Sequence, residues 1–219
     1  MDHLTRRRAA TAEEIVDSAE QLVLAADLES LTVQAIATGI GMTAGALYRY
    51  FPSRDAIVAA VQRRVIAALA AEVDRAIDAV DDPDLALARV VALGHAVVDF
   101  ARAEPVRYGL LARMLAVPTP VVADAEAADV LPVALAAVAR ARDALGAARA
   151  AGALGPGDDG RRLLVLWAGV HGAIQLDKLR RFAPEAASDR VAADLVDDLV
   201  VGWGADRARV AGVRARRSR

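Results

Sequence analysis

Between Thr32 and Pro52 the residue types leave little choice of structure: two short helices meeting at a glycine corner. Thr32 can cap a helix bearing Ala35 and Ile36. Gly39 to Gly41 then turn tightly, because glycine takes positive φ without steric cost. Thr43 caps a second short helix through Tyr50, and Pro52 stops it. Longer helices flank the pair. Thr11-Ala-Glu-Glu14 reads as a capping box, with Thr11 bonding the backbone at Glu14 and Glu14 reaching back. Ile15, Ala19, Leu22, Val23 and Ala26 follow on one helical face, and Asp27 to Ser30 reads as a break. Ser53 caps a long helix with Ile57, Val61, Val65, Leu69 and Val73 on its apolar side.

Helical signals continue to the end of the chain. Asp81-Asp82-Pro83-Asp84 punctuates it, a helix is expected from about Asp84 to Ala103, and Glu104-Pro105 opens another. Val117-Pro-Thr-Pro120 is a break, followed by an alanine-rich helical stretch to Gly152, in which Pro132 leaves the helix start open. The loop Gly155-Pro-Gly-Asp-Asp159 offers aspartates as caps, and Ala183-Pro184 separates the last two helices. Alanine and leucine fill the apolar positions and aromatics make up only 4% of the chain, which favours helix over sheet. The expectation is an all-α protein of about nine or ten helices. A three-helix unit at residues 1–64 is joined by a long helix to a helical bundle at 65–206, and 207–219 form a basic tail that frays.

The residue inventory excludes several chemistries. Without cysteine there is no disulfide, thiolate zinc site or cysteine nucleophile. His3, His95 and His171 lie far apart in sequence, and no His/Asp/Glu group has metal spacing. With one lysine, Lys178, and neither Gly-x-Ser-x-Gly nor a phosphate loop, no enzyme is expected, and no cofactor. The longest apolar run, Leu163 to Ile174, is too short to span a bilayer, and the expected location is the cytoplasm. Residues 1–64 carry seven arginines against eight carboxylates, so any affinity for nucleic acid must come from where charge sits rather than from its sum.

Two short helices around a glycine corner, with a helix before and after, describe a helix-turn-helix. In the second one, Leu47 and Phe51 can pack inward on Ile36, Ile40 and Leu22, leaving Ala44, Gly45, Tyr48 and Arg49 facing out. Small leading residues let backbone approach base edges closely. The neighbouring tyrosine and arginine can donate to phosphate or touch thymine methyl groups. Arg54 adds a phosphate donor beside the amides of a helix N-terminus. Arg6, Arg7 and Arg8 are either an arm reaching DNA or a disordered terminus.

Residues 11–65 resemble the DNA-binding domain of the TetR family, most specifically over Gly41-Met-Thr-Ala-Gly-Ala-Leu-Tyr-Arg-Tyr-Phe-Pro-Ser-Arg-Asp55. The resemblance implies base contacts near Ala44, Gly45 and Tyr48. It further implies phosphate contacts from Thr32, Thr43, Tyr50 and Arg54, and places Gln34 where a base-reading side chain can occur. Ala46 departs from the threonine that many relatives use to bond phosphate, so that contact is in doubt. Trp167-Ala-Gly-Val-His-Gly172 resembles a tryptophan-x-x-x-His-Gly pattern of one subgroup. Repression is likewise an expectation from the family, and the arginine and alanine bias points to a GC-rich bacterial genome.

One short helix reads few bases, so a homodimer on a palindromic operator is expected. The helices at about 160–181 and 188–205 are the candidates for pairing, through Leu163, Leu166, Val170 and Ile174 on one and Val191, Leu195, Leu199 and Trp203 on the other. Gly169 and Gly172 would let helices approach closely. A small hydrophobic effector is expected among residues 84–181. Phe100, Tyr108, Met114 and Trp167 are the large side chains there, and His95, Arg107 and His171 are its polar candidates. The alternative is a helical small-molecule-binding or scaffold protein that does not bind DNA.

Overall fold

The computed structural model describes residues 3–25, 31–82, 84–116 and 124–217; the breaks expected at 27–30 and 117–120 lie outside the described residues, as does the side chain of Met114. Ten α-helices and no strand occur among them: α1 (His3–Ala25), α2 (Val33–Gly39), α3 (Ala44–Leu47), α4 (Arg54–Asp78), α5 (Leu85–Ala103), α6 (Pro105–Ala116), α7 (Asp124–Ala150), α8 (Asp159–Leu176), α9 (Ser188–Gly202) and α10 (Arg207–Arg217). The helix starts at the three central caps are as expected. The Thr32, Thr43 and Ser53 hydroxyls accept from the amides of Ala35, Ala46 and Ala56 at 3.1, 3.2 and 2.9 Å. Asp158 likewise caps α8, accepting from Arg161 N at 3.0 Å.

The chain divides into two compact units, Met1–Ala67 with Val106–Ala134, and Ala68–Pro105 with Leu135–Arg219. The division is therefore not a single point near residue 64: the chain returns to the N-terminal unit at Val106. Glu20 supplies the physical reason. Its buried carboxylate accepts from Arg107 Nε at 2.6 Å and from Arg64 at 3.3 Å, joining α1, α6 and α4, and Arg64 also pairs with Glu13 and Asp17. Tyr108, Leu110 and Leu111 are buried alongside.

In the second unit α5, α8 and α9 pack together, and α5 is buried along most of its length. Two glycines set how closely α9 lies. A Cβ on Gly94 of α5 would come within 2.3 Å of Val196 Cγ2, and one on Gly169 of α8 within 2.5 Å of Leu195 Cδ2. Gly169 thus serves contact within the protomer. Arg162, buried at the start of α8, donates to the carbonyls of Gly155 and Pro156 at 2.9 and 3.1 Å and lies over the Trp203 ring. That pins the 155–158 loop to the end of α9.

Two boundaries differ from expectation, and a third, left open at Pro132, is settled. α1 begins at His3, eight residues before Thr11, whose hydroxyl donates back to Arg7 O at 3.2 Å instead of capping. α7 runs through Pro132, which sits exposed within it. Residues 207–217 are not a frayed tail but α10, docked on α5 and α9 with Val210 and Val213 buried. Arginines hold it there: Arg209 bonds Asp84 at 2.8 and 2.9 Å, and Arg214 bonds both Asp194 and Asp197 at 2.8 Å.

Candidate nucleic-acid interface

Gly41 makes the corner between α2 and α3 with φ of +67°, and Met42 N returns to Ala37 O at 2.8 Å. α3 is a single regular turn. Tighter turns extend it, with Tyr50 N bonded to Leu47 O at 2.9 Å. Leu47 is fully buried and anchors this short element, whereas Tyr48 stands 51% exposed. A Cβ added at Gly45 would meet nothing within 4 Å, so the backbone beside Tyr48 is open to an incoming surface. Thr32, Gln34, Thr43 and Arg49 are exposed, and Ala44 and Tyr50 half-buried, so the nine residues expected to meet DNA keep solvent-facing surface or a place at its edge.

Two arginines do more than expected. Arg54 Nε donates to Leu31 O at 2.6 Å, fastening the start of α4 to the chain entering α2. Arg8 lies on α1 rather than on an arm, donates to Arg49 O at 3.1 Å, and sits over the Tyr50 ring with its guanidinium carbon 6.0 Å from the centroid. Sequence reasoning missed this role for Arg8. The available signal was the helix-forming run Arg6-Arg-Arg-Ala-Ala10 ahead of Thr11.

The residues expected to meet an effector fall in both units. Arg107 and Tyr108 belong to the first unit, where Arg107 serves Glu20 and burial raises the Tyr108 hydroxyl's pKa. His95, Phe100, Trp167 and His171 belong to the second. Phe100 is core, and Trp167 and His171 stack on successive turns of α8 with centroids 6.1 Å apart. Burial lowers the pKa of His95, further lowered by Arg217 and Arg214 of α10, against the opposing pull of Asp99 and Asp197. Cavities of about 390 and 420 Å³ flank α10, and none of these residues lines either.

The expected pairing surface needs correction as well. Leu166 and Val170 are 3% and 0% exposed in the isolated protomer, so they offer nothing to a second copy. Leu195 meets Gly169 and Trp203 meets Arg162, while Leu163, Ile174, Val191 and Leu199 are half-buried. The apolar surface of α8 lies instead at Leu164 (69% exposed), Val165 and Leu176, with Gly172 open between them. No helix of the described residues is long and apolar enough to cross a membrane, and none of their His, Asp and Glu side chains form a group that could hold a metal.

The chain matches two family models: residues 15–61 that of bacterial regulatory proteins of the tetR family, and residues 90–199 that of the tetracyclin repressor-like C-terminal domain. No curated relative matches it in sequence. Among solved structures, a Rhodococcus sp. RHA1 protein of unknown function is similar at 25% identity and TM-score 0.71, over 89% of this chain and 95% of that one. The regulatory protein SCO4313 is similar at 26% identity and TM-score 0.66, over 89% and 97%. RolR, in complex with resorcinol, shares the fold at 19% identity and TM-score 0.63, over 97% and 96%. With the helix-turn-helix, the exposed Tyr48 and both family models in agreement, the chain belongs to the TetR family of transcriptional regulators.

Proposed function

We propose that the chain is a repressor that binds a palindromic operator as a homodimer in the cytoplasm and leaves it when a small hydrophobic effector binds. The observation that carries the DNA reading is Tyr48, half exposed on a turn whose neighbours Ala44 and Gly45 leave the backbone approachable. Tyr48, Ala44 and Gly45 meet base edges. Thr32, Thr43, Tyr50 and Arg49 meet phosphates, Gln34 lies within reach of a base, and Arg54 combines a phosphate contact with its hold on Leu31.

Two copies pair through the exposed face of α8, along Leu164, Ala168, Gly172 and Leu176, with the half-buried Leu163, Ile174, Val191 and Leu199 at its edges. Small residues in the middle of that face let two helices approach closely. Pairing sets two reading helices about 34 Å apart, matching one turn of DNA. The resorcinol bound to RolR supports an effector that is a small aromatic molecule. α4, whose residues belong to both units, is the element through which its binding reaches α1 to α3. An effector favouring the non-binding state by about 3 kcal/mol would change the ratio of states more than a hundredfold.

Fluorescence anisotropy on DNA tiled upstream of the protein's own gene, at two salt concentrations, tests this reading. Tight, salt-sensitive binding to one near-palindromic tile supports it. Equal affinity for every tile favours the helical scaffold without specific DNA binding.

A further inference from the structure

The larger of the two cavities beside α10, about 420 Å³ and open to solvent, is lined by the end of α4 and the turn after it, by α5 from Ala88 to Asp99, and by the last turns of α10. All three belong to the second unit. Its size falls in the range of small-molecule sites, about 300–1,000 Å³. The space exists because the wall is built from small side chains: Ala76 and Ala79 from α4 and the turn after it, and Ala88 and Ala92 from α5. Val91 and Val213 complete an apolar floor. None of the polar side chains expected to anchor an effector reaches it.

The charges at the mouth decide what such a floor would accept. Three arginines line it, and each already has a carboxylate that also lines it. Arg75 pairs with Glu72, Arg216 with Asp82 at 2.6 and 2.9 Å, and Arg217 with Asp99 at 3.2 Å. An anion would have to displace one of these partners, and the two-pronged Arg216–Asp82 pair is the hardest to open because Asp82 is largely covered. The fourth carboxylate, Asp81, is exposed and has no cation at ion-pair distance among the described residues. It stands just past the C-terminal end of α4, whose peptide dipoles add negative potential. An alanine and valine floor, with one surplus negative charge among the described side chains at the rim, suits a molecule that is apolar along its body and cationic at one end.

We propose that this cavity is a binding site for a small amphiphilic amine, its apolar body on the alanine and valine floor and its ammonium group at Asp81. α10 supplies one wall, so the arginine–aspartate pairs that hold the C-terminal helix also shape the site. Its use as the effector site rests on the regulator reading above; binding itself does not.

Isothermal titration of the full-length chain with 4-phenylbutylamine, and with 4-phenylbutyrate as the same body bearing the opposite charge, tests the proposal. The amine is expected to bind the wild type and the butyrate not to bind. Ala79→Trp, which fills the mouth from an exposed position, should abolish binding. Asp81→Asn, also at the surface, should weaken it about three- to fivefold, the worth of one partly solvated ion pair. No heat with the amine, equal binding of both compounds, or undiminished binding by Ala79→Trp would each overturn the proposal. No DNA enters this experiment, so its failure is distinct from failure to bind an operator.

Discussion

The guanidinium of Arg8 donates to the carbonyl of Arg49 at 3.1 Å, so the first helix holds the turn that follows α3, the element proposed to read DNA. That turn follows one regular helical turn only, and a single turn has little stability of its own. Arg8→Ala should leave the melting temperature almost unchanged, since an exposed hydrogen bond contributes only about 0.5–1.5 kcal/mol. Operator affinity should fall several-fold as Tyr48 loses its fixed position. Anisotropy titration beside a thermal melt checks both; unchanged affinity would mean that the turn is set without Arg8.

Glu20 is buried between Arg107 and Arg64. Glu20→Ala leaves two partly covered guanidinium groups facing an empty site. Loss of about 2–4 kcal/mol is expected, below the cost for fully buried pairs because both arginines keep some solvent. Urea denaturation measures it, and a loss under about 1 kcal/mol would show that the carboxylate does not hold α6 to α1.

His95 makes stability depend on pH. Burial, then Arg217 of α10, lowers its pKa from 6.5. The unfolded chain therefore takes up this proton first as the pH falls, and the folded state loses stability from about 6.5 down to the depressed folded value. His171, lowered by burial, acts in the same direction. The melting temperature should drop between pH 7 and 5, and His95→Gln should flatten that slope. Identical slopes for variant and wild type would remove His95 from the account.

Leu164 and Leu166 lie two residues apart on α8 with opposite environments. Leu164→Arg should give a monomer by light scattering with little change in melting. Leu166→Ala should destabilise by about 2–4 kcal/mol through the cavity it leaves in the protomer core. A dimer that survives Leu164→Arg would place the pairing surface elsewhere.

The same pair of residues marks where sequence reading reaches its limit. The caps at Thr32, Thr43 and Ser53 and the corner at Gly41 are legible because each depends on neighbours within a few residues. The apolar repeat on α8 is equally visible. Periodicity does not say which stripe meets the chain's own core and which stays exposed. α10 reads as a loose basic tail because Asp84, Asp82 and Asp99, which neutralise its arginines, lie 118 to 134 residues earlier. The return of residues 106–134 to the N-terminal unit depends on Glu20 meeting Arg107, 87 residues away, and no local pattern announces that.

The most direct test of the central claim is operator binding by Tyr48→Ala beside the wild type. The substitution removes an exposed side chain, so the fold should be kept and circular dichroism should not change. The wild type should bind one near-palindromic tile tightly, weakening steeply between two salt concentrations, and the variant should lose about tenfold or more, the worth of one good base contact. Equal affinity of the two proteins for that tile, or no preference of the wild type for any tile, would contradict that claim.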